Sequence, residues 1–160
     1  MTGIDHAART AELEAEEVRL AFDRFDFAEA WAIGRELVET APAPVAIRIQ
    51  VGDRLLFAAA LDGTSADNQV WLDLKFAAVR QFGRSTLWLH HRLKARGRTL
   101  AESPSVRTPM IDHGGGFPIR IGAQVVGVIG VSGLPHEDDH RLITSAIEAY
   151  KAGQGQGGRG

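Results

Sequence analysis

The 160-residue chain contains no cysteine, which excludes disulfides, thiol catalysis and thiolate metal ligation. No run approaches the roughly 20 apolar residues that a membrane-spanning helix needs. The start, Met1-Thr2-Gly3-Ile4-Asp5-His6, lacks the basic residues and apolar stretch of a secretory signal. A cytoplasmic protein without a membrane role is therefore expected. An excess of either charge is also missing. Eighteen Lys and Arg face twenty Asp and Glu, a net charge of −2, so overall charge gives no support for nucleic-acid binding. Local charge is uneven, acidic over 12–17 and basic over 80–98, a pattern that solvated helix faces commonly show.

A chain of this length fits one domain and can bury a core without staples. Residues 1–152 read as that domain, and the Gly-rich residues 153–160 as a flexible tail. Residues 8–20, rich in Ala, Glu and Leu, predict a helix. Asp26-Phe27-Ala28-Glu29 has the residue types of a capping box. Its helix should run to about Val38, with Trp31, Leu37 and Val38 on the apolar face, and stop at Ala41-Pro42-Ala43-Pro44. Val45–Val51 and Arg54–Leu61 read as strands joined by Gly52-Asp53, an antiparallel hairpin.

A helix is expected over Ala66–Phe82, with Val70, Leu74, Ala78 and Phe82 at helical spacing and Gly83 as its stop. Ser85 can cap another helix, ending near Arg96 before Gly97. Residues 98–109 read as loop. Met110–Asp112 predicts a short strand, and Phe117–Ile121 and Val125–Ser132 two more. The last helix should span about Pro135–Lys151, placing Leu142, Ile143, Ala146, Ile147 and Tyr150 on the core. Glu137, Asp138 and Asp139 in its first turn suit the helix dipole. The order ααββααβββα, with short turns between strands, predicts an α+β domain: an antiparallel sheet of about five strands flanked by helices.

The segment His113-Gly114-Gly115-Gly116-Phe117-Pro118-Ile119-Arg120, followed by Gly127-Val128-Ile129-Gly130-Val131-Ser132-Gly133, resembles the C-terminal signature of the HbpS-like, or haem-degrading-domain, superfamily. Leu134-Pro135 and Asp139-His140 extend the likeness. Arg24-Phe25-Asp26, Ala30-Trp31, Gly34, Leu56-Phe57, Gly63-Thr64, Asp67-Asn68, Trp71, Lys75, Phe82 and Ser85 carry it back to about residue 20. It points to a branch of short, stand-alone, uncharacterised members. The resemblance implies a five-stranded antiparallel sheet flanked by helices, assembly as a dimer or larger homo-oligomer, and haem as the cofactor of some relatives. This chain departs from the branch pattern at Ala77, where Asn is usual, and at Gly83, where His is frequent.

Three consecutive glycines remove every Cβ, so a ligand or a second backbone can approach Gly114–Gly116 closely, and their amides can form an anion-binding concavity. His113 beside them can bind a metal centre or move a proton. The competing reading is a bulge, a tight corner or a subunit contact. Ser132-Gly133, just before the last helix, suits an anion at the helix N-terminus or simply a turn. The expected ligand-binding set is therefore His113, Gly114, Gly115, Gly116, Arg120, Ser132 and Gly133. Gly127-Val128-Ile129-Gly130 lies within a strand, where close helix packing explains its glycines better than a dinucleotide fingerprint. His136-Glu137-Asp138-Asp139-His140 formally matches the zincin pattern, but it opens a terminal helix, and a solvated helix start is the simpler reading. His90-His91 reads as an exposed pair. As a haem ligand, one of them would have Arg84, Arg92 and Arg96 beside it for the propionates. Trp31, Trp71 and Trp88 read as core or interface residues.

The leading functional expectation is an oligomeric small-molecule-binding module, with haem or another tetrapyrrole as one candidate ligand. A protein-interaction scaffold comes second. An enzyme acting on a small anionic metabolite, with His113 as acid or base, comes third.

Overall fold

The computed structural model describes residues 3–157, with side chains through residue 154. In chain order the elements are α1 (His6–Arg19), α2 (Phe27–Thr40), β1 (Ala46–Val51), β2 (Arg54–Ala60), α3 (Ala66–Phe82), α4 (Thr86–Ala95), a 3-10 turn at Leu100–Glu102, β3 (Gly116–Ile121), β4 (Gln124–Ser132) and α5 (His136–Gly157). The sheet has four strands in the order β2-β1-β4-β3, all pairs antiparallel. The α+β class stands, and the fifth expected strand does not form. Met110–Asp112 is irregular, because the outer edge of β3 is taken by Phe22, which donates its amide to Arg120 O at 2.8 Å.

Local chemistry sets most of the boundaries. Asp26 and Glu29 form the capping box at α2, and Ser65 and Asn68 form another at α3. Gly83 closes α3 with φ of 66°, a conformation that costs other residues a Cβ clash. Ser85 Oγ accepts from the Trp88 amide to start α4. The last helix runs beyond its expected end near Lys151, because no proline follows and Gly153 stays helical instead of capping. The expected tail at 153–160 is thus helical to Gly157, and 158–160 lie outside the described residues.

The sheet alternation divides the core. Ile47, Ile49, Phe117, Ile119, Ile129 and Val131 point to one face, where α2 brings Ala30, Ile33 and Leu37 and α5 brings Leu142, Ile143, Ala146 and Ile147. The expected core face of α5 is the observed one. The opposite face is covered by α3 through Phe76 and Val79 against Val128. A Cβ at Gly130 would meet Phe76 Cε1 at 2.5 Å, so this strand glycine is the close helix contact expected of it. Two faces differ from expectation. Helix α3 buries Leu72, Lys75, Phe76 and Val79, leaving Val70 54% exposed, and α2 leaves Trp31 49% exposed. The expected Leu37 in α2 and Ala78 in α3 are buried, so each expected face is right in part. Helix α1 packs along α4, pinned by Glu17, which is buried and accepts from the Ser85 amide and from Arg120.

Candidate functional site

At the end of the sheet where β4 runs out into α5, α3 and α5 meet from opposite faces. Lys75 of α3 and Asp139 of α5 are only 3% and 2% exposed, and their charged atoms are 3.1 Å apart. Lys75 Nζ also donates to Val131 O at 2.9 Å, and Asp139 Oδ1 accepts from the Leu134 amide at 2.9 Å. Burial pushes the Lys75 ammonium below its ordinary range and Asp139 above its own, while each partner's charge pulls the other back. The two groups can meet because residue 115 is glycine. Its φ of 119° suits no side chain, and a Cβ there would lie 2.6 Å from Lys75 Nζ.

Above this pair lies a cavity of about 320 Å³ lined by Asn68, Trp71, Lys75, His113, Ser132, Gly133, Leu134, His136 and Asp139. The Trp71 and His113 rings stack, with centroids 5.9 Å apart and planes at 13°. His136 lies beside His113, with centroids 5.4 Å apart, and its Nδ1 accepts from the Gly114 amide at 3.1 Å. That bond fixes the proton of the neutral ring on Nε2. Burial, with His90 and His113 nearby, lowers the His136 pKa and favours that neutral form.

Counting donors and acceptors defines what the cavity wants. Lys75 has spent two of its three N–H bonds on protein. Ser132 Oγ accepts from Asn68 Nδ2 at 3.2 Å, and its own proton has no protein acceptor among the described residues. His136 retains Nε2–H. Against these, the single lining carboxylate, Asp139, already accepts at both oxygens. Lys75, Ser132 and His136 thus each keep one donor, while the lining carboxylate is engaged at both oxygens.

Of the expected set, His113, Ser132 and Gly133 line the cavity. Gly114, Gly115 and Gly116 are buried behind it. Their missing side chains make room for His136 O, Lys75 Nζ and Thr86, and the amides of Gly114 and Gly116 serve His136 and Thr86. The space that three bare residues create is therefore filled by protein. Arg120 lies apart, bonding Glu17, Gly83 O and Ala123 O. His91 is buried against Glu137 instead of exposed, with His90 half-buried beside it. His136 and His140 turn to different partners, since His140 is buried against Glu16 at 2.6 Å. Among the described residues no three His, Asp or Glu side chains are placed to hold a metal ion. The sequence reading did not assign Lys75, Asp139, Trp71, Asn68 or His136 to the cavity. The available signal was a lysine on the buried stripe of α3, where an apolar residue would be ordinary.

A family model described as haem degrading protein HbpS-like matches residues 25–148. A UPF0303 protein of Streptomyces avermitilis is 44% identical over 144 residues, covering 87% of this chain and 88% of the relative. Among solved structures, the Ybr137w protein superposes with a TM-score of 0.77 at 24% identity, covering 88% of this chain and 86% of that one. A PduOC:haem complex superposes with a TM-score of 0.65 at 21% identity, covering 78% and 94%. These likenesses at low identity carry the architecture. The chain belongs to the HbpS-like family, alongside the UPF0303 proteins.

Proposed function

We propose that this protein is a small-molecule-binding module whose ligand is a compact anion, a carboxylate or phosphate, seated in the cavity over Lys75. The donors on its wall carry this reading: Lys75, Ser132 and His136 each offer one, and the lone lining carboxylate already accepts at both oxygens. The volume, about 320 Å³, is at the small end of the range for ligand sites. The stacked Trp71 and His113 rings offer a flat wall to a planar ligand. Titrating purified protein with oxalate while following tryptophan fluorescence tests the reading. Saturable quenching whose affinity weakens at least tenfold in Ser132→Ala supports it. An unchanged signal across the titration sinks it.

A second reading has one observation in its favour. His113 is exposed at the cavity mouth, where its imidazole is free to meet iron, and the PduOC relative was solved with haem. A tetrapyrrole would extend well beyond this cavity, and none of Arg84, Arg92, Arg96 or Arg120 lines it to meet propionates. Haemin titration separates the two readings: a saturable Soret shift abolished by His113→Ala favours haem. Assembly with further copies belongs to the same proposal. Strand β2 is a sheet edge with no further strand beside it among the described residues, with Leu55 58% exposed, next to the Phe27, Trp31 and Phe57 aromatic patch.

A further inference from the structure

Five of the six histidines form one connected chain of rings. It begins at His6, the first residue of α1, whose Nδ1 is 2.9 Å from His91 Nδ1. The ring centroids step from His6 to His91 at 5.1 Å, His91 to His90 at 5.0 Å, His90 to His136 at 4.8 Å and His136 to His113 at 5.4 Å. The last two rings line the cavity. Four separate parts of the fold, α1, α4, α5 and the loop before β3, contribute to this chain.

Each link restricts where a proton can sit. His136 Nδ1 is committed as an acceptor from the Gly114 amide, so a second proton on that ring would set two donors face to face. His91 is held between His6 and the Glu137 carboxylate, which Arg9 also pairs. His90 Nδ1 is buried without a hydrogen-bond partner, 3.8 Å from Asp112 Oδ2. The groups facing the cavity end are the Lys75 ammonium from α3, Asp139 and Glu137 from α5, His90 and His91 from α4, and Asp112 from the loop. With Lys75 and Asp139 balancing each other, His113, His136 and His90 face one another, with Asp112 3.8 Å from His90. Crowded imidazoles resist a shared positive charge, and burial pushes His91 and His136 below their ordinary range. An anion in the cavity changes that balance, because it places negative charge directly against the His113 and His136 end.

Resting on the small-anion reading of the cavity, we propose that the site takes up its anion together with a proton, held by the His90–His113–His136 group. The proton comes from solvent, and no covalent bond to the ligand is made or broken. Histidine is suited to this because a modest change of surroundings carries its charge across neutral pH. The affinity for the anion should therefore rise as pH falls from 8 to 7, by a factor approaching ten when uptake is complete.

The test is isothermal titration of the full chain with oxalate and with sulfate, both of which stay fully ionised over this range. It is run at pH 7.5 in two buffers of different ionisation enthalpy and repeated at pH 7 and 8. The expected result is a buffer-dependent enthalpy that reports uptake of a substantial fraction of a proton, with tighter binding at the lower pH. His90 does not line the cavity, so His90→Asn should keep binding and lose much of the uptake. His90→Gln provides the same readout if His90→Asn fails to fold. Binding with equal affinity at all three pH values and no buffer dependence overturns the proton coupling and leaves the anion site standing. Uptake unchanged in both variants also overturns it. Failure of the folded protein to bind either probe overturns the anion reading and the coupling together.

Discussion

Asp139→Asn removes one charge from the most buried ion pair among the described residues and changes almost nothing else. The asparagine Oδ1 can still accept the Leu134 amide, so the turn into α5 keeps its hydrogen bond. What is lost is the partner of an ammonium that is 3% exposed and 3.1 Å away. At an effective dielectric constant of about 20, two charges at that separation attract by about 5 kcal/mol. Desolvation costs several kcal/mol per ion, so the pair is close to break-even as a unit. Breaking it is different, because the orphaned charge keeps its desolvation cost, and the expected loss is about 3–5 kcal/mol. For a chain of this size that is a fall in Tm of roughly 6–20 °C. Lys75→Met should cost a similar amount by orphaning the carboxylate. The double variant Lys75→Met/Asp139→Asn should cost clearly less than the two added, with a coupling of about 2–3 kcal/mol. The pH slopes of the single variants should be opposite. In Asp139→Asn the lysine's folded pKa lies below its unfolded value. The unfolded chain then binds more protons between the two, and stability rises with pH through that window. In Lys75→Met the aspartate's folded pKa lies above its unfolded value, so stability falls as pH rises through its own window. Urea unfolding from pH 4 to 10 reads both. Additivity within about 0.5 kcal/mol, or single variants as stable as wild type, would refute this reading of the pair.

Other outcomes follow from particular contacts. Gly115→Ala needs a left-handed φ of 119° and a Cβ where Lys75 Nζ sits. It should cost more than the roughly 1–3 kcal/mol of backbone strain alone, and a thermal melt within about 2 °C of wild type would contradict this. Glu17→Ala strands the Ser85 amide that starts α4 and takes the carboxylate from Arg120, which keeps Gly83 O and Ala123 O. It should cost about 3–5 kcal/mol in urea unfolding. Burial raises the Glu17 pKa, so the wild type should also lose some stability as pH rises from the ordinary carboxylate range through that folded value. The variant should lack this slope. Phe27→Ser/Trp31→Ser, on the exposed aromatic patch, should leave the fold intact. If the patch joins copies, it should lower the mass measured by light scattering, and an unchanged oligomer would rule that patch out as the joint.

What the sequence shows about the fold follows how local each cause is. Gly83, Ser85, the Asp26–Glu29 box and the Gly52 turn act within a few residues, so their helix ends and hairpin can be read directly. The core face of α5 is equally plain, because its apolar residues recur without interruption through Tyr150. Met110–Asp112 has the residues of a strand and no strand, since Phe22 from a distant loop occupies the edge it would need. Helix α3 misleads for a chemical reason: its buried stripe contains Lys75, and a charge normally marks the solvent side. The glycine run marks a stretch without side chains, which the sequence shows directly. The group that fills it, an ammonium from a helix 40 residues earlier in the chain, is a tertiary fact. So is the histidine chain, assembled from four parts of the fold that no local pattern connects.

Amide chemical-shift mapping by NMR, with oxalate titrated into isotope-labelled protein, would locate the ligand most directly. The expected result is a saturable set of shifts confined to Trp71, Lys75, His113, Ser132, Gly133, Leu134 and His136, the residues around the cavity. Shifts gathered instead around the basic stretch from Arg92 to Arg98, or none at all at saturating oxalate, would contradict the assignment of this cavity as an anion site.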